Sequence, residues 1–265
     1  MAIQGLYKIF DHWHSEGTLW IYSDPHFNDP DLKKGINRPD AEELVKLINS
    51  KCGRKDTLII LGDIVDIEPV KQIRAKRKIL IMGNHDAGRT NYERQIISRK
   101  FPMDIFQKDE ALEEMKRVYP NCRYSIDESW EFHSPFNCWV VTADNMLFDE
   151  VYEGPLMIAE KLILSHEPVD VPWAFNIHGH DHAGKKRKNH LNVCADVIGY
   201  VPVNMNQFMK SGAMAHIDTI HRDTIDKATE RKRKRGGSIA EINAMKGRTH
   251  KIPKDVKREK CESHV

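Results

Sequence analysis

No apolar run in the chain approaches the roughly 18 residues that a membrane-crossing helix needs, so no membrane partner is expected. Cysteine is scarce. Cys52, Cys122, Cys138, Cys194 and Cys261 are an odd set of five scattered over 265 residues. They contain no CxxC pair and no regular spacing, which excludes a disulfide framework and points to a reducing cytoplasm. With 15 glycines and 12 prolines the chain is neither collagen-like nor of low complexity. The opening residues, Met1 to Gly17, lack a basic stretch followed by an apolar one, so no secretory signal is expected. What remains is 40% hydrophobic and 30% charged, enough for one large domain or two small ones.

Charge is unevenly placed. Residues 227–265 carry 13 Lys and Arg against 5 Asp and Glu, whereas the first 226 residues carry 28 against 34. The basic character belongs to the tail. A folded domain over 1–212 and a helical to disordered basic extension over 213–265 are therefore expected.

Up to about residue 200, short apolar runs alternate with helical patterns, the signature of an α/β architecture. Strands are expected at Thr18–Ser23, Thr57–Leu61, Ile79–Met82, Cys138–Ala143, Lys161–Ser165, Ala174–Ile177 and Leu191–Ala195. Ala41, Leu44, Val45 and Ile48 form a helical stripe between Pro39 and Gly53. Helices are also expected at Asp109–Val118, around Pro69–Lys76 and Thr90–Ser98, over Asn204–Ser211, and over a polar His216–Arg235. No capping domain is evident between His85 and His166.

Polar residues with metal-binding chemistry gather at the strand ends, where open α/β sheets place their sites. They are Asp24-Pro25-His26, Gly62-Asp63-Ile64-Val65-Asp66, Gly83-Asn84-His85-Asp86, His166, and His178-Gly179-His180. Each alone reads as turn chemistry or as a structural histidine. Five in succession point to one metal centre. Asp24, His26, Asp63, Asn84, His166, His178 and His180, with His85 set aside, are too many ligands for one ion. They suit two ions that share a carboxylate. The oxygen and nitrogen donors suit manganese, iron or zinc rather than a soft metal; manganese is the expected ion, with iron, zinc or nickel as alternatives. Two dications outweigh the two carboxylates, so the centre should attract a phosphate ester.

The order D-x-H, G-D-x-x-D, G-N-H-D, S-H and H-G-H resembles the calcineurin-like metallophosphoesterase superfamily, over roughly Leu19 to Val203. The resemblance implies a sandwich of two mixed β-sheets flanked by helices. It implies that Asp24, His26 and His180 hold one ion, Asn84, His166 and His178 the other, and Asp63 bridges them. A metal-bridging hydroxide would attack phosphorus in line. His85 would protonate the leaving oxygen, and Asp66 would orient His85. His180/His182 has the same spacing as His178/His180. The first pair is preferred because it follows the apolar run directly, which leaves His182 as an outer hydrogen-bonding residue. Asp86 reads as a turn or capping residue.

The sequence departs from the protein Ser/Thr phosphatase branch, with Ile67 where those enzymes have arginine and Asp86 where they have glutamate. The missing arginine removes a bidentate phosphate clamp. Arg89 could contact phosphate or lie in a solvated loop. A phosphodiester or nucleotide-type substrate is the expectation. The alternatives are a phosphomonoesterase acting on a small molecule or protein, and a nucleic-acid-binding protein with an inactive core. The basic runs Lys185–Lys188 and Arg231–Arg235 could follow a nucleic-acid backbone or simply be solvated.

Overall fold

A computed structural model describes residues 17–86, 91–129, 137–159, 161–217 and 220–234. Arg89, Arg235 and Cys261 lie outside the described residues. The chain divides into two compact units, 1–219 and 220–265.

Three parallel strands begin the first unit: β1 (Leu19–Tyr22), β2 (Thr57–Ile60) and β3 (Arg77–Ile81). The sheet is completed by β7 (Glu150–Tyr152), parallel to β3, and by β12 (Val203–Asn204), antiparallel to β1. A second mixed sheet has the order β11 (His190–Asn192), β10 (Phe175–His178), β9 (Leu162–Leu164), β8 (Leu156–Ala159), with only β8 antiparallel.

The alternation of side chains along the strands explains the layering. Ile21, Ile59, Leu61, Ile79 and Ile81 pack against Leu162, Leu164, Phe175 and Ile177 of the second sheet. Their neighbours Tyr22, Leu58, Ile60 and Leu80 face the opposite way, toward Leu44, Val45 and Ile48. Those three form the buried stripe of a helix, Ala41–Lys51, which follows a shorter one at Pro30–Ile36; the pair are α1 (Pro30–Ile36) and α2 (Ala41–Lys51). The Asp40 carboxylate caps α2 by accepting from the Glu43 amide at 2.8 Å. Each isoleucine or leucine so buried stabilises the fold by about 1.5–3 kcal/mol.

A third sheet lies in sequence between the two: β4 (Ile96–Pro102), β6 (Cys138–Asp144) and β5 (Arg123–Ser129), all antiparallel in that order. With α3 (Lys108–Val118) it has a small core of its own around Phe101, Ala111, Met115, Val141 and Ala143. The insertion lies between His85 and His166 within the same compact unit, 1–219. It corrects the expected helix at Thr90–Ser98, where β4 begins at Ile96. Two elements are shorter than expected. The Pro69–Lys76 segment is a single 3-10 turn over Glu68–Gln72. The strand expected through Ala195 ends at Asn192, and α4 (Ala195–Ile198) follows.

After β12 comes α5 (Met205–Lys210), and Met214 and Ile217 still pack into the core between the sheets. The second unit contributes α6 (Ile220–Lys234), with exposed side chains from Asp226 to Arg233.

Candidate metal centre

β1, β2, β3, β9 and β10 all deliver their C-terminal ends to the same region, because each is parallel to its partner in the first three and in the last two. The connecting backbone there is under tension. Asp24, His26, Asp63, Val65 and His180 all have φ between 40° and 67°, a left-handed conformation costly for residues with a side chain, most of all for β-branched Val65. The glycines are needed for space. A Cβ on Gly83 would lie 2.3 Å from Asp63 Oδ1, and one on Gly179 would lie 2.1 Å from Asp24 Oδ2.

Around this region the structure brings together Asp24, His26, Asp63, Asn84, His166 and His180. Asp63 Oδ2 is 3.3 Å from both His26 Nε2 and His166 Nε2. His166 Nε2 is 2.9 Å from Asn84 Oδ1 and 3.1 Å from His180 Nδ1, and those two atoms are 3.1 Å apart. Asp24 Oδ1 sits 3.9 Å from His26 Nε2. With His166 Nδ1 committed to the Leu61 carbonyl, the Nε2 lone pair of the neutral ring converges with Asn84 Oδ1 and His180 Nδ1, a set that can ligate a cation. Asp24 Oδ1 and His26 Nε2 are moreover buried without any hydrogen-bond partner, a costly state unless something coordinates them. The donors therefore fit divalent metal. Two triplets, Asp24–His26–Asp63 and Asp63–His166–His180, each place their ligand atoms within 4.8 Å of one another.

Behind the facing atoms, acceptors fix the rings. His166 Nδ1 donates to the Leu61 carbonyl at 2.8 Å, and His26 Nδ1 to Asp29 Oδ2 at 2.9 Å. Burial alone would lower the pKa of both histidines, but Asp63 and Asp24 outweigh it, raising His26 and bringing His166 to about 9. Asp63 itself, despite burial, is held well below the usual carboxylate range by His166 and His26. The carboxylates of the cluster thus favour positive charge beside them.

Two expected residues stand elsewhere. His178, the last residue of β10, is fully buried; its Nδ1 meets the Gly179 carbonyl at 2.8 Å and its ring packs edge-on against His190. In its place His182 turns Nε2 to within 3.6 Å of Asp24 Oδ1. The φ of 63° at His180 breaks the strand's alternation, so residues 180 and 182 face the cluster rather than 178 and 180. The equal spacing of the two pairs was the signal available in the sequence. Asp66 does not touch His85. Its carboxylate accepts from Asn28 Nδ2 at 2.7 Å and from the Glu68 amide at 3.0 Å. The carboxylate that ties the two loops is Asp86, fully buried, which accepts from the amides of Asp63, Ile64 and Gly83 and from the Tyr92 hydroxyl. His85 is half-exposed, with Nε2 4.0 Å from Asp63 Oδ2 and its ring edge-on to His26.

The model of the calcineurin-like phosphoesterase family matches residues 17–194, which include every residue of this cluster. The chain belongs to the calcineurin-like phosphoesterase family. It is a phosphoric ester hydrolase of a family that binds divalent metals, and its donor clusters could hold such ions. No curated protein matches this phosphoesterase. A solved structure of a protein of unknown function from Aquifex aeolicus is similar at 19% identity, over 73% of this chain and 98% of that one, with a TM-score of 0.41.

Three further residues support the cluster without having stood out in the sequence. Asp196 accepts from His182 Nδ1 at 2.6 Å and from the Tyr200 hydroxyl at 3.0 Å. Arg38 grips the same carboxylate through Nε and Nη2, at 3.1 and 2.9 Å, and its Nη2 also donates to the Asp24 carbonyl. Burial would raise the Asp196 pKa, yet His182, Arg38 and Tyr200 together hold it at about 2. Cys194 Sγ lies 3.5 Å from His182 Nδ1 and forms with His182 and Asp24 a further group whose ligand atoms lie within 4.8 Å of one another; burial pushes its thiol up. It backs the ring as a neutral thiol.

Proposed function

We propose that this phosphoesterase holds two divalent ions and hydrolyses a phosphodiester or nucleotide-type substrate. One ion is held by Asp24, His26, Asp63 and His182, the other by Asp63, Asn84, His166 and His180. The observation that carries this reading is the position of Asp63 Oδ2, equidistant at 3.3 Å from a histidine of each set. Manganese is the proposed ion, with iron, zinc or nickel as alternatives; an all oxygen and nitrogen donor set suits these rather than a soft metal. When bound, the ions supply charge neutralisation on the phosphate and a water of lowered pKa.

The remaining steps belong to the chain. Asn84 and His180 are exposed, so the cluster opens to solvent on the side where His85 stands. His85, beside Asp63 and half-exposed, is placed to give a proton to the leaving oxygen. Its backbone amide donates to Asp63 Oδ1 at 2.9 Å, which locks the loop that carries it to the shared carboxylate. Ile67 leaves no arginine clamp after Asp66, and Arg38 is spent on Asp196 and two carbonyls. Neither position 67 nor Arg38 thus offers a dianionic monoester a bidentate clamp, whereas a diester carries one charge less. The test is kcat/KM on bis(p-nitrophenyl) phosphate against p-nitrophenyl phosphate. A preference for the diester supports the reading, and a preference for the monoester transfers the enzyme to the alternative class. Absence of turnover with both ions bound would mark an inactive core.

A cytoplasmic location is in keeping with the cysteines, since Cys52, Cys122 and Cys194 form no disulfide among the described residues. The domain organisation proposed is a catalytic part over 1–212 and a basic extension over 213–265, the early residues of which, Met214 and Ile217, still pack into the core. The extension's charge supports a nucleic-acid contact, to be tested by truncation after Asp226. Hydrolysis of a small diester should persist, while affinity for a polynucleotide falls and its salt slope flattens. Equal polynucleotide binding by both forms would remove the nucleic-acid role.

A further inference from the structure

A cleft of about 540 Å³ opens where the inserted antiparallel sheet meets the main body. That is within the range of small-molecule sites. It lies at the start of β3, whereas Asn84 follows the end of that strand. From Lys78 to Asn84 is six residues, a separation of roughly 20 Å in extended chain.

Seven of its twelve lining residues are lysine or arginine, and one, Asp144, is acidic. Such a concentration of one sign costs stability unless a counter-charge occupies the space. The acids nearby are already committed. Asp144 accepts from Arg94 Nε and Nη2 at 3.0 and 2.7 Å, and Asp149 accepts from Arg94 Nη1 at 2.7 Å. Glu68 is held by Lys71 at 2.7 Å. Arg54 and Arg74 are exposed and have no carboxylate partner among the described residues, and Arg123, also exposed, stands across the strand pair from Asp144, which Arg94 already holds.

At the back of the cleft is Lys78, 5% exposed. Its ammonium donates to the Val70 and Met146 carbonyls and to no carboxylate, which leaves one of its three protons for a ligand. The walls are pre-set. Ile73 and Ala75 are buried in the core, so Arg74 and Lys76 between and after them turn outward. The Arg74 amide is pinned to Asn49 Oδ1 at 2.7 Å, and Asn49 Nδ2 donates to the Gln72 carbonyl.

We propose that this cleft is a second ligand site, separate from the metal centre, for an oligophosphate chain of the kind shared by nucleoside triphosphates and inorganic tripolyphosphate. Several fork-like guanidinium groups around one buried ammonium match a row of phosphates, which offers many acceptor oxygens over a short length. The few apolar side chains lining it, Ile73, Ala75 and Met146, offer little to an uncharged ligand.

The experiment is calorimetric titration of full-length, metal-loaded enzyme with inorganic tripolyphosphate and with a nucleoside triphosphate, alongside Arg74→Glu/Arg123→Glu. Both proteins share the metal centre, so binding there cancels in the comparison. The expected result is at least about a tenfold weaker affinity in the double variant, with metal content and diester turnover unchanged. Arg54→Gln/Arg74→Gln, which removes charge without reversing it, should show a smaller loss in the same direction. A nucleoside triphosphate that binds much more tightly than tripolyphosphate would identify the nucleotide as the source of the chain. Equal affinity of wild type and both variants would overturn the proposal. So would binding of an oligonucleotide with no competition from either triphosphate.

Discussion

His182 Nδ1 lies 2.6 Å from Asp196 Oδ2, and this bond sets which histidine of the His178–His182 run faces Asp24. Asp196 is itself clamped by Arg38 and Tyr200, so the ring has one orientation, with Nε2 turned to the cluster. His182→Gln should therefore lose one of two ions and most turnover, whereas His178→Gln should keep both ions while losing stability. Asp196→Ala should weaken metal affinity by roughly 10–100-fold, the usual effect of removing a partner behind a ligating histidine. Metal content after gel filtration separates these outcomes. Loss of metal in His178→Gln with retention in His182→Gln would reverse the assignment.

His85 touches no carboxylate other than Asp63 among the described residues, and Asp66 is engaged with Asn28. His85→Asn should slow hydrolysis by roughly 10²–10⁴-fold with metal content intact. The loss should shrink for esters with good leaving groups, which need less protonation. Asp66→Asn should change the rate only slightly. A rate loss in Asp66→Asn that matches His85→Asn in its leaving-group dependence would restore Asp66 as the residue that orients His85.

Asp86 serves four donors from a fully buried position. Asp86→Ala leaves three amides and a hydroxyl without an acceptor and should cost at least about 3 kcal/mol in urea unfolding. Asp86→Asn, which keeps one acceptor oxygen, should cost less. A loss below about 1 kcal/mol in the alanine variant would mean that water replaces the carboxylate.

Lys78 offers a test by pH. Burial pulls its ammonium down to about 8, against about 10.4 in an unfolded chain. Between those values the unfolded state holds a proton that the folded state has released, so stability rises with pH, by up to roughly 1.4 kcal/mol per unit. The contribution is complete above the unfolded value and is lost as pH falls through about 8. Unfolding free energies of wild type relative to Lys78→Met, measured across this window, should diverge in favour of wild type as pH rises. A constant difference would show that Lys78 keeps its proton in the folded chain.

The parallel strands were legible because Leu58-Ile59-Ile60 and the neighbouring runs Leu19-Trp20-Ile21 and Ile79-Leu80-Ile81 are continuously apolar, as burial on both faces requires. The inserted sheet was not, because β4 and β5 read Ile-Ile-Ser-Arg-Lys-Phe-Pro and Arg-Tyr-Ser-Ile-Asp-Glu-Ser and expose much of their length. Charged, half-exposed strands look like polar helix or loop until their partner, β6, is known. In the site, five strand ends announced the chemistry, but the side to which each residue points depends on φ. The left-handed turn at His180 moved the expected pair by one step, and the one at Val65 precedes an Asp66 that bonds Asn28. Neither angle is written in residue spacing.

The most direct measurement is a manganese titration of the metal-stripped full-length protein, with bound ions and bis(p-nitrophenyl) phosphate hydrolysis read in the same samples. Two ions per wild-type chain are predicted, with turnover appearing as the second site fills. Asp63→Asn, which weakens the carboxylate shared by both sets, should lose occupancy and turnover together. Full activity at one ion per chain, or an Asp63→Asn enzyme that binds two ions and turns over like wild type, would contradict the shared-carboxylate centre.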